Sequence, residues 1–480
     1  MGTMSEIWSM SFVRYKKRGN KWYVYEVSAF WDKKSKKSKQ HTKYLGTSDT
    51  QGGEYSKPGK LAAIISEKAI VDFGDSYMIN EIAKNCDFTT IIENSFGNLD
   101  TIMTLICYQM TQGAAMMHCR DWADGNSASL LFPNSKINSQ DISRLFQKLG
   151  QEGLQRKFFK DYIGRFFKEQ HGILIDSTAL PSAINTPINA WGYGAEGIDQ
   201  NVSCLVLVDK ISKLPIYFRA VPGDIPDVST LETTINEITR LGLKMDSAVL
   251  DAGYFSESNV RYLCEKNVNF ITRLPRSRKI FKALIEDAGS IESRAYAIQY
   301  GERAVFIKSI ETTIYDQKLH VHIILDPYKK AKDTQLLLRD AFAEGTDAKE
   351  IDEKMHYCGY FILISRALIE REEILPTYYT RQSIEQIFGF AKCNNNLLPL
   401  RVHNEQSVKG YIMLVFLSII VFVMMRQRLQ PTFTVENALL ILRGLKAKVH
   451  DKELAIQEPN KKTKDISKLL NILVPTSLGI

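Results

Sequence analysis

The sequence predicts an α/β core, preceded by a basic β-rich segment and a helical region and interrupted by a mostly β insertion. Three observations carry this reading. Apolar periodicity is mainly helical from about 61 to 167, then turns to short strands after Gly172. Two of those strands, Gly172–Ile175 and Ser247–Leu250, run into an acid, Asp176 and Asp251. Asp176 to Asp251 spans 75 positions, but Asp251 to Glu385 on a charged helix spans 134, and alternating runs fill the excess.

Taken in order, residues 1–60 hold 13 Lys+Arg and 5 Asp+Glu, a balance of +8. The whole chain of 480 residues is also +8, so the other 420 are neutral overall. Such an excess suits phosphate contacts, and it equally suits a solubilising arm. Trp22-Tyr23-Val24-Tyr25-Glu26-Val27 and Thr42-Lys43-Tyr44-Leu45 read as strands around the basic run 33–39. Aromatics interleaved with lysines on a ribbon make a candidate DNA surface, with a solvated hairpin as the alternative. Gln51-Gly52-Gly53 to Pro58-Gly59 reads as a linker. Between 61 and 167 the periodicity gives an apolar, Met-rich helix over 99–117 and an amphipathic one over 140–154.

Strands over 202–208 and 214–221 follow the first one. Asp227 reads as the N-cap of the next helix. Asp199, Asp209 and Asp224 are set aside, Asp209 because Lys-Ile-Ser-Lys after it reads as a hairpin turn. A helix over 256–266 and a strand over 269–274 come after Asp251. Alternation in 303–307 and 319–325 makes the stretch 277–356 a mostly β insertion. Arg273, Arg276, Arg278 and Lys279 crowd its start, facing DNA or simply solvated. The core resumes with a strand over 359–366. The apolar run Tyr411–Met425 has 15 residues, short of the roughly 20 that span a bilayer, and reads as a buried closing helix.

The chemistry concentrates in Tyr378-x2-Arg381-x3-Glu385-x6-Lys392. Steps of 3, 4 and 7 return to one helical face, which therefore shows a hydroxyl, a guanidinium, a carboxylate and an ammonium. A carboxylate between two cations suggests a metal ligand flanked by phosphate-holding groups. A solvated amphipathic helix would show the same face, and either aspartate alone would serve as a cap or turn residue. Together, two strand-end aspartates and a helical glutamate can hold two divalent cations. Three clustered acids repel one another without such charge, which implies Mg²⁺ or Mn²⁺. Oxygen-only ligands, with no Cys-x-x-Cys or His-x3-His cluster, argue against zinc.

These residues resemble the DDE transposases of bacterial insertion sequences, in particular the insertion-sequence-four type with its Tyr-Arg-Glu-Lys signature. The likeness covers roughly 166–430 and includes Pro222-Gly223-Asp224-x2-Asp227 and Gly359-Tyr360-Phe361. It implies an RNase H-like core in two parts, 168–276 and 357–440, split by the insertion 277–356 and followed by a tail, 441–480. It also implies a helical DNA-binding domain over 61–167. By the same resemblance Asp176, Asp251 and Glu385 are the catalytic metal ligands for two Mg²⁺ or Mn²⁺ ions. Tyr378, Arg381 and Lys392 would contact DNA. The expected partners are double-stranded DNA (terminal inverted repeats and target) and a second copy in a synaptic homodimer. The expected location is the bacterial cytoplasm, on the nucleoid. A related nuclease that never joins strands, and a DNA-binding repressor, are the competing readings.

Composition sets outer limits. Seven dispersed cysteines, an odd number, suit reduced thiols rather than a disulfide framework. The N-terminus lacks a charged start leading into an apolar core, so no signal peptide is read there. His320-x-His322 on a strand is a weaker metal candidate than a packing pair.

Overall fold

The computed structural model describes residues 11–19, 21–32, 37–55, 69–182, 185–194, 197–344, 347–390, 404–450 and 453–479. The chain forms two compact units. One is Met1–Val71 with Lys446–Glu458 and Pro475–Ile480; the other is Asp72–Leu445 with Pro459–Val474.

The first unit contains an antiparallel sheet of β1 (Ser11–Arg18), β2 (Lys21–Asp32) and β3 (Lys37–Ser48), in that order. Arg14 pairs across to Tyr25, and Tyr25 to Tyr44. The Tyr44 ring meets those of Tyr23 and Tyr25 at 6.1 and 5.4 Å. Lys37 and Lys39 lie in β3, while 33–36 of the basic run fall outside the described residues. A short strand, β4 (Ile70–Asp72), follows.

The second unit opens with α1 (Gly74–Asn85), α2 (Phe88–Phe96), α3 (Leu99–Gln112), α4 (Cys119–Asp124), α5 (Ala128–Leu131), α6 (Ser139–Leu149) and α7 (Glu152–Phe166). The helix expected over 140–154 is thus two helices. Asn138 starts α6 by accepting from the Asp141 amide, and the chain breaks again at Gly150, where α6 meets a later helix backbone to backbone. A Cβ on Gly150 would stand 1.8 Å from the Gln406 carbonyl oxygen, and one on Gly410 1.8 Å from that of Phe146.

A large sheet follows: β5 (Gln170–Pro181), β6 (Ala190–Gly194), β7 (Gly197–Asp209), β8 (Pro215–Pro222), β9 (Lys244–Leu250) and β10 (Asn269–Arg273). Later come β11 (Ala297–Tyr300), β12 (Arg303–Ile314), β13 (Gln317–Leu325) and β14 (Tyr360–Ser365). Their order is β11-β12-β13-β14-β10-β9-β5-β7-β6, with β8 also on β7. β9 runs parallel to β5 and β10, and β7 antiparallel to β5 and β8. Ile173, Leu174, Ile175, Ala248, Val249 and Leu250 are buried, as parallel strands covered on both faces require. Helices α8 (Asp227–Arg240) and α9 (Glu257–Glu265) carry the chain from β8 to β9 and from β9 to β10.

The insertion differs from the mostly β expectation. Helices α10 (Lys279–Ala288), α11 (Pro327–Glu344) and α12 (Ala348–His356) outweigh its three strands. Those strands are not a separate body, because β13 pairs with β14 and so extends the main sheet. The mixed polar pattern of α11 lacks the clean apolar stripe that marks a helix in sequence.

After α13 (Arg371–Tyr379) and α14 (Gln382–Gly389) comes α15 (Glu405–Leu429), then α16 (Val435–Arg443) and α17 (Lys461–Leu470). At 25 residues α15 is longer than the apolar run suggested, and by length and composition it could cross a membrane. It is instead packed inside the protein against α1, α3, α6 and β8, with 94% of its apolar window buried. Ser418 within it donates to Gln109 of α3 at 2.6 Å. In the first unit, β15 (Lys446–His450), β16 (Glu453–Ile456) and β17 (Ser477–Gly479) complete a small sheet with β4.

Six cysteines lie among the described residues, all free, while Cys393 falls outside them. His322 is fully buried, with its ring nitrogens 2.9 Å from the hydroxyls of Ser309 and Ser365. Burial lowers its pKa to about 4, so it is a neutral packing residue.

Candidate active site

The first carboxylate comes from inside a strand. β5 does not end at Asp176 as the sequence suggested. It continues through Ser177-Thr178-Ala179-Leu180, paired with β7 from Asp176 opposite Val206 to Pro181 opposite Asn201. The parallel neighbour β9 does end, with Leu250 opposite Ile175. Asp176 and Asp251 therefore occupy the next step on adjacent strands, which lie roughly 4.8 Å apart. Thr272 Oγ1 donates to the Asp251 carbonyl at 3.2 Å, and the turn Ala252–Tyr254 leads to α9, capped by Ser256.

The two carboxylates have unlike surroundings. The side chain of Asp176 is 12% exposed and that of Asp251 40%. Asp176 Oδ1 accepts from the Ser177 amide at 3.0 Å. Burial raises the pKa of Asp176 to about 6; Arg381 opposes this, and the charges of Asp251 and Asp227 add to it.

The signature helix is not one regular helix. Pro376 lies within α13, and the backbone then tightens. The amides of Arg381, Ser383 and Ile384 donate to the carbonyls of Tyr378, Thr380 and Arg381, each three residues back. Residues three apart eclipse in such a turn, so Tyr378 and Arg381 project together. Tyr378 Oη donates to Asp251 Oδ1 at 3.3 Å. Arg381 Nη1 donates to Asp176 Oδ2 at 2.9 Å, and its Nη2 lies 3.5 Å from Asp251 Oδ1. One guanidinium thus closes over both carboxylates. The Tyr378 hydroxyl is pushed up to about 12 by burial and the charge of Asp251, so it remains a donor.

Glu385 lies one turn further on and is exposed. Its charge reaches Arg381. The three-back bonds end at Ile384, and Glu385 itself stands in the regular α14. Among the described residues, no three acids, histidines or cysteines are gathered closely enough to hold a metal ion. Lys392 lies outside the described residues. Of the basic cluster at the insertion's start, Arg276 is engaged by Asp333 and the Tyr360 carbonyl, both at 2.8 Å.

Sequence reasoning missed Asp227. It is the first residue of α8, whose N-cap is Pro226, and it makes no capping bond. Its carboxylate instead accepts from Ser177 Oγ at 2.7 Å. The available signal was the serine directly after Asp176. Beside this group stands Tyr254, 1% exposed, whose hydroxyl is pushed well above its ordinary value by burial and by the charge of Asp227.

Two converging carboxylate oxygens that already share one cation fit a hard divalent ion such as Mg²⁺ or Mn²⁺. An α/β sheet that sets paired acids beneath an arginine held between two helices is the frame of a carboxylate-centred enzyme. Residues 168–421, just over half the chain, match the transposase DDE domain family. The chain belongs to that family and is a DDE transposase. No curated protein matches it. It is similar, at 10% identity and a TM-score of 0.39, to the protein in a cryo-EM structure of a piggyBac transposase synaptic complex with hairpin DNA. That likeness covers 82% of this chain and 70% of the other.

Proposed function

We propose that this chain is a bacterial insertion-sequence transposase of the insertion-sequence-four type. In this reading it binds the double-stranded ends of its element, cuts the phosphodiester there and joins the freed end to target DNA. One observation carries the reading: Asp176 and Asp251 stand one register step beyond a parallel strand pair, under Arg381 of the signature helix. An RNase H-like core is supported by the order β8-β7-β5-β9-β10, in which only β7 is reversed.

Asp176 and Asp251 would hold Mg²⁺ or Mn²⁺, with Glu385 completing the set by rotation of α14. Bound there, the cations would supply charge that offsets the negative charge developing at the attacked phosphate and activate the attacking oxygen. Arg381 neutralises the two carboxylates, and its guanidinium, freed from them, would hold a DNA phosphate. Tyr378 stays protonated and donates to phosphate, so it is not the nucleophile. Lys392 adds a further phosphate contact. The basic, tyrosine-bearing sheet β1–β3 and the helical region 61–167 contact the element ends. Two copies cut two ends together, in the cytoplasm on the nucleoid.

Labelled oligonucleotides carrying the element's terminal repeats test this with Mg²⁺ present. Asp251→Asn and Glu385→Gln should each lose at least ~10³-fold in cleavage rate while keeping end binding. Undiminished cutting by either variant removes that residue from the chemistry. Cutting without joined products would identify a nuclease, and binding without cutting a repressor.

A further inference from the structure

We infer that Asp227 is a positioning residue that braces both reactive aspartates, an inference that rests on the reading of Asp176 and Asp251 as the reacting pair. The ladder between β5 and β9 stops at Ile175 and Leu250, so no backbone bond sets the spacing of the two acids beyond it. The first turn of α8 supplies that link.

On one side, the Asp227 carboxylate holds the Ser177 hydroxyl at 2.7 Å, and the Ser177 amide holds Asp176 Oδ1 at 3.0 Å. On the other, the same carboxylate packs on the turn after Asp251. A Cβ at Gly253 would lie 3.3 Å from Asp227 Oδ2. Asn259, 4% exposed, fastens that side: its Nδ2 donates to the Val228 carbonyl at 2.9 Å and to the Tyr254 carbonyl at 2.8 Å. The start of α8 is therefore tied to the residue after Asp176 and to the turn after Asp251. A carboxylate at the first position of a helix is favoured by the helix dipole, so a further acid is tolerated here.

The test compares Asp227→Ala, Asp227→Asn and Ser177→Ala in the full chain. It reads single-turnover end cleavage, Mn²⁺ affinity by calorimetry without DNA, and end binding in EDTA. Asp227→Ala and Ser177→Ala should each slow cleavage by about 10–100-fold and weaken Mn²⁺ binding by about tenfold, with end binding unchanged. Asp227→Asn keeps an acceptor oxygen for Ser177 and should stay within a few-fold of the parent on both readouts. An Asn variant as impaired as the Ala variant would overturn the inference, since charge rather than the hydrogen bond would then matter. So would parental Mn²⁺ affinity in Ser177→Ala, which decides the matter alone if Asp227→Ala fails to fold. Full cleavage by Asp176→Asn and Asp251→Asn would instead defeat the underlying reading of the acid pair.

Discussion

Asp176 and Glu385, two acids of the proposed site, stand on opposite kinds of scaffold. Asp176 stands inside β5, paired to β7 along its length and to β9 up to the preceding residue. Moving it means breaking ladder bonds. Glu385 stands on α14, exposed, after a stretch that contains a proline and several three-residue turns. Rewinding that stretch into a regular helix conserves most of its hydrogen bonds. Of the two proposed acids, one is therefore fixed by the sheet and the other sits on an element that can be rewound. Arg381 lies at the junction, on the adjustable element but bonded to the fixed one.

Catalysis gives the largest expected effect on that contrast. Asp176→Asn and Glu385→Gln should both lose at least ~10³-fold in cleavage, but their stabilities should part. An acid held above its ordinary value keeps extra protons in the folded state, so stability falls as pH rises from 3.8 to about 6. Asp176→Asn removes that cost, raising stability at pH 7.5 by at most about 3 kcal/mol, with the gain vanishing near pH 4. Glu385→Gln, on an exposed turn, should leave the melting temperature within about 1 °C of the parent at either pH, a surface-scale effect. Equal shifts in the two thermal melts would dissolve the comparison.

Next in size is the acid limb of the cleavage rate. Asp176 must lose its proton to take a cation, so the rate should fall about tenfold per pH unit below a midpoint near 6. An unchanged rate down to pH 5 contradicts the lifted acid.

The smallest effect concerns Arg381. Arg381→Ala leaves two neighbouring carboxylates without their shared cation and should cost about 1–2 kcal/mol at pH 7.5 and less at pH 4, where Asp176 is protonated. Millimolar Mg²⁺ should restore more of the melting temperature in this variant than in the parent. Equal responses to Mg²⁺ would mean that guanidinium and metal do not compete for the same oxygens.

Much of this was legible in the sequence, and the failures have physical causes. The strands carrying Asp176 and Asp251 announced themselves through continuous burial, which needs only local apolar runs. The end of β5 was misplaced because Ser177 to Pro181 pairs with β7, a partner about 25 residues away that no local pattern specifies. The three-residue step from Tyr378 to Arg381 survives tightening of the helix, since residues three apart eclipse there. The length of α15 was underestimated because its polar ends, such as Glu405, Gln406 and Lys409, belong to the helix without belonging to the apolar run. Asp227 looked like a cap because Asp before a helical run usually is one; only the third dimension brings Ser177 to it.

The small sheet of β4, β15, β16 and β17 sets a timetable for making this protein. Ile70–Asp72 meets its strand partner only after Lys446–His450 has been synthesised. At translation speeds of roughly 5–20 residues per second that delay amounts to tens of seconds. During this interval the early strand waits for the partner that completes its sheet.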